Sequence, residues 1–220
     1  EFLPGISVSE PTPTQAAAVG KALAKMHMAV VNFGELKPNP LGQSSWKALF
    51  DQCDQTAANA LQAGFAGEIA RECDWLSENW PPNLPQCAVH TDLFPDNVLI
   101  RGDQVGGLID FYFACTDFRA YDLAVTHAAW SFIAVGRHSL AEIGTALLEG
   151  YGAVIQLTED EKQALPVLAR GASLRFLLTR LYDWINTPAD AMVTRKDPLA
   201  FYHRLKFYSN ANSSALLGSA

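Results

Sequence analysis

"VHTDLFPDNVLI", residues 89–100, sets a histidine, two aspartates and an asparagine within eight positions and runs straight into an apolar strand. A second apolar run, "GGLID" (106–110), ends on another acid. Taken as antiparallel strands 97–101 and 106–110, with Gly102-Asp103-Gln104-Val105 as the loop, the two runs pair Asn97 with Asp110, Leu99 with Leu108 and Ile100 with Gly107. Directly opposed residues hold their Cβ atoms ~5 Å apart on one side of a ribbon. This register therefore predicts an amide oxygen beside a carboxylate at the hairpin's open end. Asp92 reaches the same point through a loop that Pro95 stiffens. Two hard oxygens with a further carboxylate close by suit Mg²⁺, which takes one or two protein oxygens and fills its remaining positions with phosphate and water. No cysteine or histidine pair offers zinc a site. An aspartate outside the metal's coordination shell can accept a proton from an attacking hydroxyl, so the pattern points to phosphoryl transfer. The plain alternative is an acidic turn closed by Asx hydrogen bonds. Three diverging side chains, or a ribbon slipped by one place, would collapse the phosphoryl-transfer reading built on this ribbon.

The 220 residues are 49% apolar, enough for a sizeable core, and carry a net charge of −7. That charge argues against general affinity for nucleic acid or anionic membrane; a phosphate-bearing ligand stays compatible if a metal ion mediates. Cys53, Cys73, Cys87 and Cys115 show no C-x-x-C spacing and read as buried thiols of a reducing compartment. No apolar run approaches the ~20 residues of a membrane span, and no signal peptide opens the chain. A cytoplasmic location is expected. The chain begins "EFLPG" rather than with methionine, as if cut from something longer.

Thr12-Pro13-Thr14-Gln15 predicts a helix start with a capping box, and the helix should run to about residue 32. A second helix is expected from Trp46 to about 63, capped by Ser44 or Ser45, and a third over 65–79. Strand-like runs cluster between 86 and 110. Helices follow at about 120–135, 139–153, 159–186 and 198–210. Ser139 with Glu142 and Thr158 with Glu161 read as capping boxes, and Asp197-Pro198 as a cap with a first-turn proline. Pro166 should kink or split the 159–186 helix, whose buried stripe is Leu174, Leu177, Leu178, Leu181 and Ile185. The fold class expected is mainly α (α+β): a helical domain with one small antiparallel hairpin at its active site.

These residues resemble the catalytic and metal-binding segments of the protein kinase-like superfamily. "HTDLFPDN" stands at H-x-D-x-x-x-x-N, and "IDFY" at the D-F-G of protein kinases. The "L-F-P-D-N" form is similar to the aminoglycoside phosphotransferase and choline kinase branch. "GLIDFYFACTDFRAYDLAVTHAAW" and "RGASLRFLLTRLYDW" resemble its bacterial homoserine kinases, across essentially the whole chain. The resemblance implies Mg²⁺ and ATP as cofactor and co-substrate, and L-homoserine, an intermediate of threonine biosynthesis, as phosphoryl acceptor. It implies Asp92 as catalytic base, Asn97 and Asp110 as Mg²⁺ ligands, and His90 as the brace of the loop. Phe2 and Leu3 would lie at the hinge beside adenine, with Leu99 and Ile109 as the floor beneath the nucleotide. Thr91 and Tyr112 depart from the kinase arginine and D-F-G glycine, which counts against loop phosphorylation and a protein substrate. Residues 1–11 then read as hinge and linker from a missing N-terminal lobe. Residues 12–220 read as the C-lobe, with catalytic loop 90–97 and metal segment 108–112. Alone it should be inactive or nearly so, and the uncovered apolar side could drive homo-oligomer formation.

Homoserine's carboxylate and ammonium call for a cation and an acid. Arg175, Thr179 and Asp183, at i, i+4 and i+8 opposite the leucine stripe, could form that pocket wall; such a row is otherwise a solvated face. Arg119 and Asp122 could tie the next helix to the catalytic loop. His27 and His127 read as packing residues, and Trp130, Tyr182, Trp184 and Phe201 as core. Two alternatives stay open: a related kinase acting on choline, methylthioribose or an aminoglycoside, and a non-catalytic kinase-like binding module.

Overall fold

The computed structural model describes residues 3–133, 135–188, 191–192, 194–213 and 216. Four helices lead in: α1 (Pro13–Ala29), α2 (Trp46–Asp51), α3 (Gln55–Leu61) and α4 (Phe65–Asn79). The middle holds β1 (Gln86–Val89), β2 (Val98–Arg101), β3 (Gln104–Leu108) and β4 (Cys115–Phe118). Then come α5 (Arg119–Trp130), a small pair β5 (Phe132–Ile133) and β6 (His138–Ser139), α6 (Ala141–Gly152), α7 (Glu159–Asn186) and α8 (Leu199–Ser209). The expected class is the one seen: helices dominate, and the strands form three two-stranded antiparallel sheets, β1–β4, β2–β3 and β5–β6. No helix among the described residues is long and apolar enough to cross a membrane.

The cap chemistry fixes several boundaries. The Thr12 hydroxyl accepts from Gln15 N–H while the Gln15 side chain accepts from Thr12 N–H, with Pro13 in the first turn. Thr158 and Glu161 repeat the arrangement at α7. Asp197 accepts from Leu199 N–H at the start of α8. Two expectations fail for identifiable reasons. The helix read over 46–63 is two helices, because the Asp54 carboxylate caps a new one by accepting from Thr56 and Ala57 N–H. Ser139 does not cap α6, because it is spent pairing with Phe132 in the β5–β6 ribbon; Leu140 takes the cap position without a side-chain bond.

Helix α7 forms the spine of the molecule and packs against α5 and α8. It runs unbroken for 28 residues through Pro166, so the expected split is absent. An interior proline costs ~3 kcal/mol. Each buried Leu returns roughly 1.5–3 kcal/mol, and Leu165, Leu168, Leu174, Leu177, Leu178 and Leu181 are all buried along this helix. Burial on both sides of the proline outweighs the local penalty. Ile185, the stripe's last member, is only partly buried.

The hairpin departs from the expected register by one place. Val98 faces Leu108, Leu99 faces Gly107, and after an irregularity Ile100 faces Val105 and Arg101 faces Gln104. Asn97 therefore lies opposite Ile109, whose N–H donates to the Asn97 carbonyl at 3.0 Å; Asp110 is one residue further on. The cause is the turn. Gly102 adopts φ +60° and so permits a two-residue connection, Gly102-Asp103, where four residues had been allotted. Gly106 is then left over as a bulge. It has to be glycine, since a Cβ there would come within 2.1 Å of the Pro4 carbonyl oxygen. The N-terminal segment lies against this hairpin, with Ile6 and Ile100 exchanging backbone hydrogen bonds of 3.0 and 2.8 Å.

Candidate active site

The catalytic loop is built on a buried carboxylate. Asp122, in the first turn of α5, is fully buried. Its Oδ2 accepts from His90 N–H at 2.7 Å, and its Oδ1 from Thr91 N–H at 2.6 Å. His27, from α1, meets Oδ2 with Nε2 at 2.9 Å and Tyr151, from α6, with Nδ1 at 2.9 Å. Burial pushes the Asp122 carboxyl upward, but the bonds from His27 and from His90 N–H prevail and hold it below the usual carboxylate value. Arg119 takes no part in this. It makes a bidentate pair with fully buried Glu161 (2.7 and 2.9 Å) and so ties α5 to α7.

Asp122 steadies an unfavourable backbone. Thr91, β-branched, sits at φ +62°, a conformation costly for such a residue. Its hydroxyl donates to the Phe113 carbonyl at 3.1 Å, and its carbonyl accepts from the Arg175 guanidinium. Bonds to its N–H, Oγ1 and carbonyl thus pin the residue directly before Asp92. His90 completes the brace. Asp92 N–H donates to His90 Nδ1 at 3.2 Å, so the ring proton lies on Nε2, which donates to the Ile109 carbonyl at 2.9 Å. His90 thereby links the loop to the residue before Asp110.

Asp92, Asn97 and Asp110 line one cavity of about 520 Å³. The slipped register means that cross-strand opposition does not bring them together, so the route by which they were expected to meet was wrong. Three local devices do it instead. Asn97 Nδ2 donates to the Asp92 carbonyl at 2.7 Å and reaches Asp92 Oδ2 at 3.5 Å. A carbonyl partner fixes the amide's orientation, so the Asn97 side-chain oxygen is the atom left for a cation. The Ile109 backbone is held from Asn97 on one side and His90 on the other. Asp110 then turns into the left-handed region at φ +61°, ψ +61°, which aspartate tolerates. One amide oxygen and one carboxylate are hard donors that fit Mg²⁺. Among the described residues no three His, Cys, Asp or Glu side chains cluster to hold a metal ion, so a cation here would draw on ligand oxygens. Burial raises the Asp92 carboxyl above its ordinary value, opposed by Arg175, His90 and Lys196.

The remaining expected residues separate. Leu3 packs over the hairpin, within 2.6 Å of where a Gly107 Cβ would stand. Leu99 and Ile109 are half-buried in the same ribbon, outside the cavity lining. Phe2 lies outside the described residues. Arg175 and Asp183 both line the cavity, but differently. Arg175 is only 2% exposed, stacked 4.4 Å from the Phe176 ring centroid and bonded to Thr91; Asp183 is exposed. The row runs from a buried brace at Arg175 to an exposed cavity rim at Asp183. The cavity's far wall also carries Arg180, Arg195 and Lys196, which the sequence reading passed over. The adjacent pair Arg195-Lys196 was the available signal.

Residues 1–161 match the sequence profile of the phosphotransferase enzyme family, APH. The chain is 47% identical over 216 residues to a homoserine kinase of Zymomonas mobilis, covering 98% of this chain and 67% of that protein. It is 46% identical over 217 residues to a homoserine kinase of Rhizobium etli, covering 99% and 67%. Among solved structures it resembles an amicoumacin kinase in complex with AMP-PNP, Ca²⁺ and Ami (TM-score 0.69, 13% identity, 97% of this chain and 64% of that one). It also resembles a choline kinase from Cryptosporidium parvum (TM-score 0.65, 13% identity, 95% and 68%). The sequence identities place this chain in the phosphotransferase enzyme family, among the homoserine kinases.

Proposed function

We propose that this chain carries the catalytic half of a kinase that transfers the γ-phosphoryl group of Mg·ATP to the side-chain hydroxyl of L-homoserine, giving O-phospho-L-homoserine in threonine biosynthesis. The observation that carries this reading is the shared cavity of Asp92, Asn97 and Asp110, in a chain so similar to homoserine kinases. Asp92 Oδ accepts the hydroxyl proton as the substrate oxygen forms its bond to phosphorus and ADP leaves. A carboxyl raised by burial is the better proton acceptor. The Asn97 amide oxygen and the Asp110 carboxylate would hold Mg²⁺, which when bound neutralises charge on the phosphate oxygens. Leu3, Leu99 and Ile109 belong to the nucleotide side of the same reading.

The chain spans 67% of the length of the relatives named above. As part of the proposal, a further lobe covers the phosphates, and these 220 residues alone turn over far more slowly than the two-lobed enzyme. The test is a coupled ADP-release assay of the full natural polypeptide with Mg·ATP and a panel of L-homoserine, choline, methylthioribose and an aminoglycoside. Phosphorylation of homoserine with the highest kcat/KM supports the reading. Turnover of another alcohol in its place refutes the substrate, and turnover of none refutes the kinase.

A further inference from the structure

Arg180 and Asp183 stand three residues apart on α7, one helical turn, and line the same cavity. Residues so spaced are neighbours that ordinarily pair. Yet among the described residues neither takes part in an ion pair. The Arg180 guanidinium makes one long bond, 3.3 Å to the Asp197 carbonyl, and rests 4.5 Å from the Phe201 ring centroid. A guanidinium offers five N–H donors in a planar fork, so most of this one is uncommitted. Arg175, the cation expected from the sequence to meet the substrate, is stacked, buried and bonded to Thr91. It braces the catalytic loop through Thr91 and is only 2% exposed, so it presents less of its fork to the cavity than the partly exposed Arg180 does.

Resting on the homoserine reading, we infer that Arg180 receives the substrate's α-carboxylate and Asp183 its α-ammonium. An acid and a base that line one cavity without pairing are complementary to an amino-acid zwitterion, and a planar fork matches a carboxylate bidentately. Burial lowers the Arg180 pKa, with Asp197, Asp92 and Asp96 acting against the shift; the guanidinium is partly withdrawn from water yet still feels the catalytic base. An amino acid anchored there by its charged end presents its side-chain hydroxyl toward Asp92. Lys196, on the same wall and 6.0 Å from the Phe94 ring centroid, adds positive potential without a fork.

Two truncated substrates separate the charges. 4-Hydroxybutyrate keeps the hydroxyl and carboxylate and lacks the ammonium; 3-aminopropan-1-ol keeps the hydroxyl and ammonium and lacks the carboxylate. In the full natural polypeptide, Arg180→Gln should raise the homoserine KM and the 4-hydroxybutyrate inhibition constant about 10- to 100-fold, the range for losing a charge-assisted hydrogen bond. It should leave the 3-aminopropan-1-ol constant within about threefold, with Arg180→Lys partly restoring the loss. Asp183→Asn should give the opposite pattern. The compound that should not respond also reports that each variant is folded. If the wild type phosphorylates homoserine but Arg180→Gln weakens all three compounds alike, or none, the carboxylate assignment is overturned and the kinase reading survives. If the wild type does not accept homoserine, both fall.

Discussion

Two walls of one cavity are built on opposite principles. Beneath the catalytic loop, Asp122 is fully buried and receives bonds from α1 and from two loop amides, and Thr91 is held at its N–H, hydroxyl and carbonyl. Across the cavity, Asp183 is exposed and Arg180 makes a single long bond. The first wall is satisfied from within; the second keeps charge in reserve. The difference teaches where the fold invests rigidity. In the proposed reaction, proton acceptance and metal ligation require placement, which a locked support provides. Charges that must meet a ligand are left without internal partners, because a paired group would first have to be released.

Substitutions on the locked wall should therefore act on kcat or on stability, and those on the open wall on KM. The largest effect is expected at the base itself. Asp92→Asn keeps the shape and removes proton acceptance, so kcat should fall by ~10²–10⁴ while the homoserine KM and the melting curve stay near wild type. A loss confined to KM would place Asp92 in binding and erase the contrast between the walls. Asp122→Ala comes next. It strips the acceptor from two buried amides and from His27, and it should destabilise the fold by about 3–5 kcal/mol, the range for breaking a buried charged network. Urea melts measure this directly. A change below ~1 kcal/mol, the scale of an exposed pair, would mean that the loop holds its strained Thr91 without help from beneath.

Much of the locked wall was legible in the sequence, because its parts lie close along the chain. The spacing of His90, Asp92 and Asn97 and the return of an acid at Asp110 marked the site. The register was misread by one residue, since a left-handed Gly102 shortened the turn and Gly106 absorbed the remainder as a bulge. The three side chains meet in one cavity, as expected, but local hydrogen bonds bring them there and cross-strand opposition does not. The open wall was harder to read. Arg175 and Arg180 lie on one helix, and spacing alone cannot say which guanidinium is consumed by Thr91, 84 residues upstream. The β1–β4 pairing and the Arg119–Glu161 bond are likewise products of tertiary packing. The capping box at Glu161 was visible from Thr158, three residues earlier; its second role was not.

That second role supplies the smallest expected effect and the sharpest test of what locking means. Glu161 and Asp122 are both fully buried. Burial raises each carboxyl, yet hydrogen bonds prevail, from Arg119 at Glu161 and from His27 at Asp122, and both end below their ordinary values of 4.5 and 3.8. A carboxyl with a depressed folded-state pKa binds fewer protons folded than unfolded. Its contribution is complete above the unfolded value and is lost as pH falls through the folded one. His127, whose pKa burial pushes down to about 4, already costs stability as pH falls below its unfolded value of 6.5; the two carboxyls should add a steeper decline of the melting temperature once pH drops below about 4.5. Glu161→Gln should flatten the upper part of that decline, since the glutamine neither titrates nor completes the pair with Arg119, and it should lower the neutral-pH melting temperature at the same time. Asp183→Asn, on the open wall, should leave the neutral-pH melting temperature unchanged. An acid limb unchanged by Glu161→Gln would remove Glu161 from the pH response and confine the locked carboxylates to the floor of the catalytic loop.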